Sequence, residues 1–283
     1  MKLGLVVSTV DALPSAFVVL RDDLCRCVDR CADFGFDGVE LALRHPGQVD
    51  LPKLRQRLAA TGLEIPCLSS GQVFAADRLF FTHPDSAIRA AAVERIAGMI
   101  RLAAELGARV NLGRVRGGIP EGQFLDVAKT RFFECLHRCA DVAEPLHVTL
   151  LIEPVNRYET DFINTCAAGA GVIREAGRSC LKLMPDLFHM NIEDPSFRAA
   201  FESFKAVIDY IHVADSNRWA PGWGHTPLEE ILQVLSDIGY DGYLTAEVLP
   251  VPDPDSAARQ VVDFFSKRAA LRPLSCDAAA AKA

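Results

Sequence analysis

Eight short apolar, β-branched runs recur along the chain, at residues 3–8, 37–42, 64–69, 109–113, 148–153, 180–186, 208–213 and 242–248. Stretches with helical character follow them, at 17–34, 51–61, 85–107, 121–144, 166–177, 196–206, 227–239 and 255–271. This alternation constrains the fold more than any other feature. A continuously apolar run such as Leu150-Leu151-Ile152 suits a strand buried on both faces, which belongs in a parallel sheet with helical crossovers. The 85–107 stretch shows the complementary signal. Ile88, Ala92, Ile96, Met99 and Leu102 recur at three- and four-residue steps with charges between them. Pro84 and Asp85 open that helix and Gly107 closes it. Eight strand–helix units predict an α/β fold, a closed (β/α)8 TIM barrel. A doubly wound open sheet is the rival, but a repeat count of eight favours closure. The segment after the first strand, STVDALP, also lacks a glycine-rich phosphate fingerprint.

The chain has 283 residues, which suits one barrel of about 250 residues plus a short extension. Residues 1–271 are expected to form the single catalytic domain, and 272–283 (RPLSCDAAAAKA) a disordered tail. A formal charge of −7 and a pI near 5.5 provide no basic footprint for nucleic acid and no polybasic membrane patch. No stretch approaches the roughly 18 uninterrupted apolar residues of a membrane span. The opening MKLGLVVST reads as a first strand, not a targeting segment. Nine scattered cysteines without a CxxC pair read as reduced, packed thiols of a cytoplasmic protein.

Four successive runs end on a possible metal ligand: Glu153 in VTLLIEP, Asp186 in LKLMPD, His212 in YIHVAD and Glu247 in YLTAEV. In a barrel those ends meet on one rim, where function resides. Three carboxylates and one imidazole suit Mn2+, Mg2+ or Co2+, because hard oxygen donors prefer hard cations. Each residue has a plainer reading. Glu153 could pair with Arg157, Asp186 could cap the next segment, His212 could be a core histidine, and Glu247 could pair with a surface lysine. Four in register outweigh these readings. Glu159, His189 and Arg218 lie three to six residues beyond a ligand, close enough for a loop to return them to the rim. Arg114 and Arg116, after the fourth strand, are placed to clamp a carboxylate or a terminal hydroxyl. Glu40, at the end of the second strand, points to the rim or to Arg44. Trp219 and Trp223 could wall the pocket or pack a subunit contact.

The strings IEPVNRYETDFIN, DLFHMNIED, HVADSNRWAPGWGH and TAEV resemble the sugar isomerase/epimerase superfamily with the xylose-isomerase-like barrel. Within it they look most like the ketose 3-epimerases of D-tagatose, D-allulose and L-ribulose. KLGLVVSTVDA, SGQVFAADRLFFTHPDSAIR and HVADSNRWAPG are also similar to 5-keto-L-gluconate epimerases. The resemblance runs to about residue 270 and is weaker before residue 110. It implies a divalent-metal-dependent epimerase that inverts C3 of a ketose by proton transfer through an enediolate. It also implies that Glu153, Asp186, His212 and Glu247 hold the ion, with Glu153 and Glu247 doubling as the acid–base pair. Glu159, His189 and Arg218 would bind the substrate's O1 and O2 end, and Arg116 is added as a further substrate contact. Mn2+ is the expected ion, with Co2+ or Mg2+ as alternatives. The expected partner is a small-molecule keto-sugar, and the expected assembly a homodimer or homotetramer.

Two other readings stay within the superfamily: a 5-keto-L-gluconate or D-tagaturonate epimerase, and a C1–C2 aldose–ketose isomerase. An endonuclease-IV-like repair barrel would need a site richer in histidine. A non-catalytic sugar-binding barrel would not need acidic ligands at four rim positions.

Overall fold

In the computed structural model, which describes residues 1–268, the apolar runs become parallel strands. The chain begins with β1 (Lys2–Ser8), β2 (Leu20–Arg21), α1 (Leu24–Phe34), β3 (Gly38–Ala42) and α2 (Leu51–Thr61). Next come β4 (Cys67–Ser69), α3 (Gly71–Asp77), α4 (Ser86–Leu106), β5 (Arg109–Asn111) and α5 (Leu125–Ala143). They are followed by β6 (Leu150–Ile152), α6 (Cys166–Ala176), β7 (Leu181–Leu183), α7 (Leu187–Glu193) and α8 (Phe197–Phe204). The last elements are β8 (Ile211–Val213), α9 (Leu228–Asp237), β9 (Tyr243–Ala246) and α10 (Pro254–Ser266).

From β1 the sheet runs through β3, β4, β5 and β6 to β7 on one side, and through β9 to β8 on the other. The two ends then meet. Bridges join Leu183 to Ile208 and Asp186 to His212, and His212 N donates to Pro185 O at 3.0 Å. The (β/α)8 barrel is therefore closed. Register aligns Ile152 with Leu183 and Val213 with Ala246, which brings the ends of the last four strands to one height.

The start of the first helix differs from the sequence expectation of 17–34. Val18, Val19 and Leu20 are apolar and mostly β-branched, and β2 pairs beside β1 with Val7 opposite Leu20. The helix starts only at Leu24, where the Asp23 side chain accepts from Cys25 N at 3.0 Å. The 85–107 helix matches its reading. Asp85 accepts from Ala87 N at 2.8 Å, a cap worth about 1 kcal/mol, and Gly107 turns the chain at φ 66°.

Inside the barrel, below the rim, Cys67, Leu151, Met184, Tyr210 and Tyr243 form a buried floor. The Tyr210 and Thr245 hydroxyls are 2.5 Å apart within it. Gly4 faces this floor, where a Cβ would come within 2.4 Å of Thr245 Oγ1. The floor closes one end of the barrel and leaves the other as its mouth. Among the described residues eight cysteines are free thiols, seven of them buried, and burial pushes Cys27 up to about 12 and Cys135 up to about 11. Among the described residues no helix is long and apolar enough to cross a membrane. The expected tail at 272–283, like the last three residues of the expected domain, lies outside the described residues.

Candidate metal centre

Glu153 and Glu247 each follow a strand directly, Asp186 follows β7 by three residues, and His212 lies within β8. One donor atom from each lies within 4.8 Å of all the others. His212 Nδ1 is 3.4 Å from Glu153 Oε1, 3.6 Å from Glu247 Oε2 and 3.9 Å from Asp186 Oδ2. These contacts fall outside hydrogen-bond geometry, and buried Nδ1 has no hydrogen-bond partner. Behind the ring, Nε2 sits 3.0 and 3.1 Å from the two oxygens of buried Glu40. Nε2–H donates to that carboxylate, which orients the ring and aims Nδ1 into the cluster. A buried ring nitrogen without a partner, facing three carboxylates, fits a divalent ion. Oxygen-rich donors of this kind suit a hard cation.

Asp186 has two tasks. Oδ1 caps α7 by accepting from Phe188 N at 2.8 Å, while Oδ2 faces the cluster. The capping reading of Asp186 and the ligand reading are thus compatible. The plainer reading of Glu153 fails, because Arg157 pairs with Glu193 at 2.8 and 2.9 Å.

Burial alone would lower the His212 pKa, but the charge of Glu40 and the contact with Glu153 outweigh it, and it is pushed up to about 10. Burial raises the Asp186 carboxyl, but the charges of Arg218, His189 and His212 hold it below the usual carboxylate range. Burial likewise raises Glu153, and its contacts with His212 bring it below its ordinary value. The metal-free protein at pH 7 therefore carries a proton on His212, which an ion must displace from Nδ1. Calorimetric titration with Mn2+ in buffers of different ionisation enthalpy should read close to one proton released per ion. A slope near zero would mean that Nδ1 is already free.

Arg218 lies over the cluster. It donates to Asp186 Oδ2 at 2.6 Å and to Glu247 Oε2, and its guanidinium carbon is 4.7 Å from the Phe17 ring centre and 4.9 Å from that of Phe188. Its backbone is left-handed, φ 62°, and its N–H donates to Asp215 O at 2.9 Å. The Asp215 carboxylate fixes the rest of that loop by accepting from Gly222 N and Thr226 N. His189 is buried, which keeps its pKa below the ordinary histidine value. Asn156 Oδ1 accepts from Tyr158 N, so its Nδ2 donates to His189 Nδ1 at 2.7 Å. The proton of neutral His189 is then on Nε2, 3.8 Å from Asp186. Glu159 lies 3.3 Å from Asn156 Nδ2 and 3.7 Å from Arg114.

A cavity of about 450 Å3 stands over these groups, within the usual range for small-molecule sites. Glu153, Glu247, Glu159, His189, Arg218 and Arg114 all line it. Arg116 does not. It is fully buried, and its guanidinium donates to the carbonyls of Gly113, Phe162 and Ile163. The expectation that Arg116 contacts substrate is corrected: it clamps two rim loops together. Arg44 pairs with Asp77, which leaves Glu40 to His212. Neither Trp219 nor Trp223 lines the cavity. Sequence reasoning missed Asn111, whose amide donates to Glu153 Oε2 at 2.8 Å. Its one signal was an uncharged polar residue interrupting the run at 109–113.

The family model for the xylose isomerase-like TIM barrel matches residues 28–268. A D-psicose 3-epimerase of Agrobacterium fabrum is 30% identical over 227 residues, covering 78% of this chain and 77% of that protein. An L-ribulose 3-epimerase of Mesorhizobium japonicum is 30% identical over 233 residues, covering 80% and 76%. The solved structure of an L-ribulose 3-epimerase superposes with a TM-score of 0.81 at 26% identity, over 95% of this chain and 96% of the other. Barrel closure, four ligand-type residues on one rim and these matches lead to one conclusion: the chain belongs to the xylose isomerase-like TIM barrel family.

Proposed function

We propose that this chain is a divalent-metal-dependent epimerase that inverts C3 of a ketose. The observation that carries the reading is the pair of carboxylates Glu153 and Glu247. They approach His212 Nδ1 at 3.4 and 3.6 Å and line the same cavity. Kinship with the two 3-epimerases supports it.

Glu153, Asp186, His212 and Glu247 would hold the ion, Mn2+ by preference and Co2+ or Mg2+ as alternatives. When bound, the ion supplies an electrophile that stabilises negative charge on the sugar oxygens next to the acidified C–H. The proton work belongs to the two glutamates. One takes the C3 proton on its face, and the other delivers a proton to the opposite face. Asn111 holds Glu153 through Oε2 and leaves Oε1 toward the cluster, while Arg218 holds Glu247. His189 Nε2–H and the Arg218 fork are donors suited to the O1 and O2 end, and Glu159 is an acceptor there. Leu13, Ala16, Phe17, Gln72 and Ala75 give the first loop and α3 an uncharged wall over the cavity. The same reading includes a homodimer or homotetramer acting in the cytoplasm on a small keto-sugar.

Incubation with D-fructose, D-tagatose, L-ribulose or D-allulose in D2O should yield the C3 epimer with deuterium at C3. An aldose product without C3 label would replace this reading with C1–C2 isomerisation.

A further inference from the structure

A second cavity, about 440 Å3, opens beside the first and shares Arg114, Tyr158 and Glu159 with it. It contains none of the four ligand-type residues. Tyr158, on the shared wall, is 81% exposed, which is unusual for a large aromatic. Phe74 and Phe80, with ring centres 5.6 Å apart, line the second cavity, and Arg114 lies 4.6 Å over the Phe74 ring. Arg78 lines it too. Its side chain is without a hydrogen-bond or ion-pair partner among the described residues, and its backbone is left-handed at φ 55°. That backbone is the cap of α3, where Arg78 N donates to Phe74 O at 3.1 Å, and it leaves the exposed guanidinium on the wall of the second cavity.

The chemistry of the walls selects the ligand. Aromatic faces lie next to planar donors on Arg78 and Arg114 and acceptors on Glu159, Thr160 and Asp161. A pyranose presents an apolar C–H face and a rim of hydroxyls that both donate and accept, so it matches both sets of groups. A phosphate would meet Glu159 and Asp161 on the same walls, which argues against it. The first cavity alone is large enough for one monosaccharide. We infer that the second cavity is a sugar-binding subsite, and that substrates include ketoses carrying a glycosyl group on O1, the end that Glu159 on the shared wall would hold. The inference rests on the C3-epimerase reading and deepens it. Binding energy from the remote ring would act on the reacting end, as remote contacts do in catalysis.

The test compares D-fructose with 1-O-glucosyl-D-fructose on the metal-loaded full chain. Wild type should process the glycosylated ketose with kcat/KM at least about tenfold higher. Ile119→Trp, which fills the second cavity, and Arg78→Ala should each remove most of that advantage. D-Fructose turnover should stay within about twofold of wild type in both. Equal kcat/KM for the two sugars in wild type, or equal losses on both sugars in the variants, overturns the subsite. If neither sugar turns over, the C3 reading has failed, and saturation-transfer NMR still decides the subsite. Transfer to the glucosyl protons in wild type and its loss in Ile119→Trp supports it, while no transfer overturns it.

Discussion

Glu153→Gln and Glu247→Gln should each lower C3 epimerisation by about 10²–10⁴-fold, the range that a positioned proton-transfer group contributes. The amide keeps the size and most hydrogen bonds of the carboxyl but cannot cycle a proton. At Glu153 the variant still offers an oxygen to the Asn111 amide, which now bonds Oε2 at 2.8 Å. At Glu247 it still offers an oxygen to Arg218. Both residues are also expected ligands, so each variant is assayed at saturating Mn2+ with its metal content measured. This separates a lost proton carrier from a lost ion. Inversion needs both faces, so either substitution alone should stop it. Turnover above a tenth of wild type in a fully loaded variant would remove that glutamate from the pair.

The second large effect is expected at Glu40, which does not line the cavity over the metal centre and is fully buried. Its carboxylate accepts the His212 Nε2 proton at 3.0 Å. Partners of this kind set ring orientation and ligand basicity, and losing one typically costs 10–100-fold in metal affinity or activity. Glu40→Gln should therefore weaken Mn2+ binding by about 10–100-fold in chelator competition. Without the Glu40 charge, the His212 pKa also falls from about 10, so fewer protons should leave per ion bound.

The sign for stability follows from linkage. In the metal-free protein, a histidine raised above its unfolded value of about 6.5 adds stability that is complete below that pH. That contribution fades as pH rises through about 10. Metal-free wild type should lose melting temperature between pH 7 and 10, and Glu40→Gln should show a flatter profile. Asp186 and Glu153 act oppositely. Their lowered values add stability above the unfolded carboxylate range, which is lost as pH falls. Metal affinity in Glu40→Gln within threefold of wild type would reduce Glu40 to a packing residue.

Some of this protein could be read without coordinates. Strands buried on both faces leave a continuous apolar signature, and a count of eight leaves little choice but a closed barrel. Closure then maps the ends of neighbouring strands onto one rim. That mapping is why Glu153, Asp186, His212 and Glu247 could be grouped from spacing alone. The long amphipathic helix at Ser86–Leu106 was equally legible, because 21 residues repeat the period several times. The seven-residue helices α3 and α7 are too short to show a period. β2 is indistinguishable in sequence from the start of the following helix, because two residues carry no pattern of their own.

What the tertiary structure alone decided was side-chain direction. Glu40 and His212 are 172 residues apart and meet only because the barrel closes. Arg114 and Arg116 are two residues apart, yet one lines the cavity and the other is spent on three buried carbonyls. A short 3-10 turn over Arg114–Arg116 sends the two guanidinium groups to different surroundings. Spacing along the chain determines which strand end a residue occupies. The partner that each polar atom finds there depends on contacts between distant loops, and those exist only once the fold has formed.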